Sequence, residues 1–462
     1  SIIIYNSHND FQQTNVVESY MYEGIGGVTE LYKTRVVIPF DGSHEEFKHV
    51  IHHELVHMFI NDYMYGGSLQ NLITKQISYV IPLWMNEGLA EYLSGEWNTA
   101  SDMWIRDLTL NYGELPSFNQ LGGYLAYRGG QSVWRFITTK WGEEAIAEIF
   151  YQIKKKKSVE DGVREALGMK LSEINRQWHE YLKKTYFPEI TEKQKLTEFS
   201  RQLTNHKKLG NGYNIAPAIS PDGSKIAIYS NKSGNMALYL ISTETGEFLK
   251  KIIQGERNSE YEELHILKPG ISWSPGGEEL VFSAKSGKSD ALFIYDLESE
   301  KTEKIRLEME GVFRPSWSPL GNEIAFIGNN GVKSDIYIYD ISSEELVNLT
   351  DDWFSEDHVS WSPDGSDLLF ISDRGKVLNE KEPNSKYTHS ISQTDIYSIT
   401  RGSGKISQIT NTSWDETYPV MTSDNNLAFV SDKSGINNIY ILNENLSNPK
   451  AITNVLTGIS QL

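Results

Sequence analysis

The stretch "SWSPDGSDLLFIS", residues 360–372, decides the reading of more than half the chain. A tryptophan precedes a Ser-Pro-Asp-Gly turn, and a run of Leu, Phe and Ile follows it. That is the pattern of two short strands joined by a tight turn. The same pattern returns as "AISPDGSKIAIYS" (218–230), "SWSPGGEELVFSA" (272–284), "SWSPLGNEIAFIG" (316–328) and the degenerate "VMTSDNNLAFVSD" (420–432). Trp273, Trp317 and Trp361 are spaced 44 residues apart, and each copy leads into a tyrosine-bearing strand such as "DIYIYDI" or "NNIYILN". Short strands and turns at this period describe the blades of a β-propeller. A β-sandwich with accidental internal similarity is the alternative, and five in-phase copies argue against it.

The copies resemble the TolB-type, WD40-like repeats of bacterial propellers over essentially all of residues 200–462. "RQLT" (201–204) matches the blade-ending "VNLT", "SQIT" and "KAIT", as a strand donated from before the first blade would. The final "NVLTGISQL" reads as the opening of a further blade, so six blades are expected, the last incomplete, in a natural protein that continues. The polar insertion "DRGKVLNEKEPNSKYTHSISQ" (373–393) is longer than a hairpin needs and is a candidate contact element.

The first 186 residues follow a different grammar. "SIIIY" and "VTELYKTRVVIPF" read as strands of a small edge sheet, and helices are expected at 44–62, 82–94, 129–140, 142–157, 158–167 and 171–186. "LPSFNQLGGYLAYRGG" (115–130) reads as a glycine-containing loop, and 187–199 as a linker into the propeller domain. In "HVIHHELVHMFIND" (49–62), helical spacing puts His53 and His57 on one face, one turn apart, with Glu54 beside the first. Phe47, Ile51, Leu55 and Met58 form an apolar stripe on another face, so packing does not itself require the two histidines. Two imidazoles can bind zinc, and the adjacent carboxylate can take a proton from a metal-activated water. Such a short motif also arises by chance in roughly 1% of chains this long, so a third ligand is needed. His49 and His52 read as packed or solvated residues.

Beyond His57, "IPLWMNEGLAEYLSG" (81–95) opens on a helix-starting proline and sets Glu87, thirty residues after His57, and Glu91 at four-residue spacing. His-Glu-x-x-His followed by Asn-Glu-Gly-x-Ala-Glu-Tyr resembles the glutamate-zincins, which include thermolysin-like and aminopeptidase N-like enzymes. Its nearest likeness is the bacterial peptidase MA-like domain, over roughly residues 1–186. The resemblance implies one zinc ion held by His53, His57 and Glu87, with Glu54 as general base. It makes Glu91 a carboxylate orienting one of the histidines, a solvated helix acid being the other reading. Related enzymes stabilise the oxyanion with a later Tyr or His. "YLAYRGGQSVWRF" (124–136) offers Tyr124 and Tyr127, of which Tyr127, before the glycines, resembles the Tyr-x-x-Gly of aminopeptidase N-like enzymes. The Gly-x-Met-Glu-Asn of those aminopeptidases is missing from "YEGIGGVTELY" (22–32), so exopeptidase specificity is not implied. Gly26 and Gly27 remain candidates for an edge strand that pairs with substrate backbone.

A formal charge of −19 argues against a nucleic-acid or anionic-membrane partner, and no window is long and apolar enough to span a bilayer. With no cysteine, disulfides and thiolate chemistry are excluded. The composition suits an exported bacterial protein, periplasmic or extracellular, whose leader is already gone. The expected whole is multidomain α and β. A mainly helical zinc peptidase domain at 1–186 acts on peptide or protein substrates, and an all-β propeller at 200–462 restricts or recruits them without building the zinc site. The rival readings are a catalytically idle, propeller-based scaffold and a zinc hydrolase of a non-peptide bond.

Overall fold

The computed structural model describes the chain apart from residues 15–20, 22, 31–34, 67–78, 211, 257–258, 379, 384–389 and 444–447. The N-terminal half carries a three-stranded sheet in the order β1-β3-β2, with β1 Ile2–Tyr5, β2 Val28–Thr29 and β3 Val36–Pro39. β1 runs parallel to β3 and β2 antiparallel to it, which leaves β2 as an edge. The run 28–40 is therefore two strands, and the residues between them lie partly outside the described ones.

α1 (His8–Phe11) and α2 (His44–Tyr65) pack on this sheet, and α3 (Leu83–Ser94), α4 (Thr99–Asn111), α5 (Tyr124–Trp141), α6 (Glu144–Lys156), α7 (Val159–Leu167) and α8 (Leu171–Tyr186) follow in the chain. The side chain of Ser43 caps α2 by accepting from the Glu46 N–H, and Gly66 ends it in the left-handed region at φ 65°. Two expectations are corrected here. The glycine-containing stretch through Gly130 is helical from Tyr124 onward, because its glycines serve close packing: a Cβ on Gly130 would lie 2.2 Å from the Trp84 carbonyl oxygen, and one on Gly88 2.3 Å from the Gly130 carbonyl carbon. The apolar stripe on α2 is also misplaced. Phe47, Ile51, Leu55 and Met58 are half-buried, while the buried line runs through His53, His57, Ile60 and Met64. The histidines therefore face the core of the domain.

Among the described residues, the second half forms five four-stranded antiparallel sheets, spanning 214–254, 271–306, 311–348, 356–408 and 416–451. Trp273 Nε1 donates to the Ala218 carbonyl at 2.9 Å and Trp361 Nε1 to the Ser316 carbonyl at 3.0 Å. Each thereby ties its blade to the first strand of the preceding one. In the turn that opened the sequence reading, Asp364 Oδ1 accepts from Ser362 Oγ, Ser366 Oγ and the Ser366 N–H, and Gly365 takes a φ of 71°. Separate apolar cores lie between successive sheets, and among the described residues none joins the fifth sheet to the first. At that gap, Gln194 pairs with Val455 in a parallel bridge, and Leu203 packs on Ile228, Tyr239 and Ile241 of the first sheet. Chain from before the first sheet and from after the fifth thus lies at that gap. Residues 201–204, expected as a strand, form no ladder there.

The helical half sits on the propeller end where the first strands begin. Ser7 Oγ donates to Glu310 Oε2 at 2.8 Å, the Asn329 amide donates to the Phe40 carbonyl at 3.1 Å, and His44 stacks on Trp353 with centroids 4.1 Å apart. Part of the 373–393 insertion lies outside the described residues. Its described ends reach the same face, with the Trp353 N–H donating to the Lys381 carbonyl at 2.7 Å. No helix among the described residues is long and apolar enough to cross a membrane.

Candidate active site

α2 and α3 pack side by side, and their buried faces bring three donor atoms together. His53 Nε2 and His57 Nε2 lie 3.0 Å apart, and Glu87 Oε2 lies 3.3 Å from the first and 3.1 Å from the second. Two imidazole nitrogens facing each other compete to place a proton between them, and such a triangle is poor as a hydrogen-bond network. It suits a small cation: zinc bound tetrahedrally at about 2.0–2.1 Å separates its ligand atoms by roughly 3.3 Å. His57 Nδ1 is buried without a hydrogen-bond partner among the described residues. Burial pulls the His53 imidazole down, but hydrogen bonds to Glu87 and Glu91 outweigh it and push it up to about 9. Burial raises the Glu87 carboxyl, and hydrogen bonds to His53 and His57 overcome that, bringing it down to about 2.

Glu91, one turn after Glu87, stands behind His53, its Oε1 3.1 Å from His53 Nδ1. Arg128 Nη1 donates to Glu91 Oε2 at 2.7 Å, and His49 Nε2 lies 3.4 Å from Glu91 Oε1. Glu91 is therefore a buried, fully partnered acid, not a solvated one. Sequence reasoning did not single out Arg128, although it directly follows Tyr127, and it set His49 aside. Only the fold shows that both converge on one carboxylate.

Glu54 is 6% exposed and faces the edge strand: Thr29 Oγ1 donates to Glu54 Oε2 at 2.6 Å and to the Glu54 carbonyl at 2.9 Å. Gly27 lies directly over it. The two candidate tyrosines diverge. The Tyr127 ring lies nearly parallel to that of His53, centroids 5.8 Å apart, and burial together with the Glu87 carboxylate raises its hydroxyl. Tyr124 is 45% exposed, and its hydroxyl accepts from Arg128 Nε at 2.9 Å. A cavity of about 1490 Å³ opens beside the site between the two halves, lined by Gly26, Tyr124 and Arg128 on one side and by Glu263, His265 and Lys268 on the other.

Two other groups of side chains could hold a metal ion among the described residues. His49, His53 and Glu91 share members with the site above. Asp335, Asp352 and Glu356 in the propeller already have a cation in Arg374, which pairs with Asp352 at 3.1 Å and with Glu356. Thr350 and Asn348 take up further carboxylate oxygens there, so those acids already have a cation and neighbouring donors.

Comparison with known proteins matches two separate stretches of the chain. Residues 1–184 match the family model of the Peptidase MA superfamily, and residues 254–377 match that of the TolB beta propeller domain. No curated protein matches. Among solved structures, TolB from Acinetobacter baumannii is 20% identical with a TM-score of 0.40, over 50% of this chain and 51% of that one. An oligogalacturonate lyase from Vibrio parahaemolyticus is 14% identical (TM-score 0.36), over 52% of this chain and 65% of that one. The β-propeller domain of the Trilobed protease from Pyrococcus furiosus is also 14% identical (TM-score 0.33), over 53% and 83%. The chain spans about half the length of the Acinetobacter protein. This chain therefore joins a region that matches the Peptidase MA superfamily to a region that matches the TolB beta propeller domain.

Proposed function

We propose that the chain is a zinc-dependent peptidase of the His-Glu-x-x-His…Glu type, exported from a bacterial cell, whose propeller restricts or recruits peptide or protein substrates. The observation that carries this is the convergence of His53 Nε2, His57 Nε2 and Glu87 Oε2 within 3.3 Å of one another, with Glu54 one residue along the same helix. Those three atoms hold the ion. When bound, zinc supplies Lewis acidity toward the scissile carbonyl and lowers the pKa of the attacking water. Glu54 accepts that water's proton and passes it to the leaving amine, and the hydrogen bond from Thr29 fixes its rotamer for the purpose. Glu91 holds the His53 ring through Nδ1, and Arg128 donates to its other oxygen. Tyr127 offers its hydroxyl to the tetrahedral oxyanion, and Gly26 and Gly27 offer backbone groups to an extended substrate. An idle scaffold has no use for a buried carboxylate held against an edge strand as Glu54 is. The test is metal analysis joined to a peptide-library digest. The purified chain should carry about one zinc per chain and release peptide fragments. Stoichiometric zinc retained after replacing His53, His57 and Glu87 together would overturn the assignment.

A further inference from the structure

The propeller grips the segment that leads into the edge strand. The Glu23 N–H donates to Glu263 Oε1 at 2.6 Å, the Glu23 carboxylate lies 3.5 Å from His265 Nδ1, and the Leu267 N–H reaches its other oxygen at 3.5 Å. These propeller residues belong to the connection between the first two sheets. Both ends of the clamp are anchored. Glu263 Oε2 accepts from the Gln12 amide at 2.8 Å. His265, 5% exposed, meets Asp290 Oδ2 at 2.9 Å on its far side, and the Asn9 amide of α1 donates to the other Asp290 oxygen at 2.9 Å. His8 Nε2 lies 3.2 Å from the Ile25 carbonyl, tying the segment to α1, and Lys268 Nζ donates to the Asp41 carbonyl at 2.9 Å.

Four residues after Glu23 comes Gly27, pressed on Glu54, and two further on Thr29, bonded to it. An extended chain of that length reaches at most about 14 Å, so a shift at Glu23 has little slack in which to die out before Gly27. All three metal-holding side chains and Glu54 come from α2 and α3, so the clamp does not touch the ion. What it fixes is the strand against which an extended substrate would pair.

We infer that Glu263 and His265 are positioning residues of the peptidase: through Glu23 they hold residues 23–29 in register over Glu54, so the propeller completes the substrate-binding edge. This rests on the peptidase reading above, and the test separates the two. In the full chain loaded with zinc, Glu263→Ala removes the acceptor for the Glu23 N–H. Amide hydrogen exchange at 23–29 should then accelerate while α2 and α3 keep their protection, and zinc content should stay the same. With an unstructured peptide of about eight residues, KM should rise about tenfold while kcat changes less than about threefold, the mark of a lost binding register. Glu263→Gln, which restores an acceptor, should recover most of the wild-type KM. If Glu263→Ala does not fold, His265→Gln, which releases Glu23 but keeps a donor toward Asp290, should give the same pair of changes. Unchanged exchange and unchanged KM in a folded, zinc-loaded variant overturn the inference. Accelerated exchange in a chain whose wild type cleaves no peptide leaves the clamp standing and removes the peptidase reading alone.

Discussion

A methyl group on Gly27 would sit 2.9 Å from Glu54 Cγ and 3.1 Å from Glu54 Oε1, with Val50 Cγ1 at 3.0 Å. Something must move, and Glu54 is the softer partner because the Val50 side chain is short and stiff. Gly27→Ala should therefore keep its zinc and lose about tenfold or more in kcat/KM, since a displacement near 1 Å at a reacting group costs up to about 100-fold. Wild-type kinetics in that variant would mean that Glu54 does not work from this position. Glu91 is tested differently. Glu91→Ala leaves His53 Nδ1 without its carboxylate, and zinc should bind about 10–100-fold more weakly in chelator competition. Periodicity sets His53 and His57 on one face of α2 and Glu87 and Glu91 on one face of α3, while their joint role comes from the resemblance to the glutamate-zincins. Thr29, Arg128 and His49 could not be read from the sequence, because their partners lie 25, 37 and 42 residues away and only the packing of separate elements brings them together.

At the scale of elements, the site depends on how closely α3 and α5 approach. α3 carries Glu87 and Glu91, α5 carries Tyr127 and Arg128, and the helices cross where Gly88 meets Gly130 with no room for a side chain on either. Gly130→Ala should destabilise the helical half by about 1–3 kcal/mol, the usual cost of overpacking. The reading is a chemical-denaturation midpoint, and an unshifted midpoint would show that the helices can separate freely. The same glycines suggested a loop in the sequence, because a glycine spared for close packing is indistinguishable there from one needed for a turn. α4 went unread for a related reason. Its start is a capping contact, the Asn98 side chain accepting from the Ser101 N–H, and its apolar residues are spread too thinly to announce a period. The blades were legible because their turns and tryptophans recur, and repetition supplies what a single strand lacks.

For the whole molecule, the junction between the halves carries a buried charge pair whose behaviour with pH has a definite sign. Burial lowers the His265 imidazole, but Asp290 and Glu23 facing it raise it well above its ordinary value near 6.5. Burial raises the Asp290 carboxyl, and His265 and Asn9 bring it below the ordinary carboxylate range. The histidine's contribution is complete below about pH 6.5 and is lost as pH rises through its elevated folded value; the aspartate's is present above about pH 4 and is lost in acid. Docking should therefore weaken as pH is raised from 7 toward 10. In thermal unfolding, the transition of the intact chain should fall across that range by a few degrees more than that of His265→Gln, about 2–4 °C for each kcal/mol. Parallel pH profiles in the two proteins would remove His265 from the junction's energetics.

In the proposed peptidase, Glu54 activates water at a zinc held by His53, His57 and Glu87. The most direct measurement is the rate of peptide hydrolysis by zinc-loaded wild type against zinc-loaded Glu54→Gln, with metal content determined on the same samples. Glutamine keeps the shape and the acceptor for Thr29 but cannot take the proton. The variant should carry equal zinc and hydrolyse at least about 100-fold more slowly, the usual weight of a general base. Equal rates at equal zinc content would contradict the claim and place the activity elsewhere.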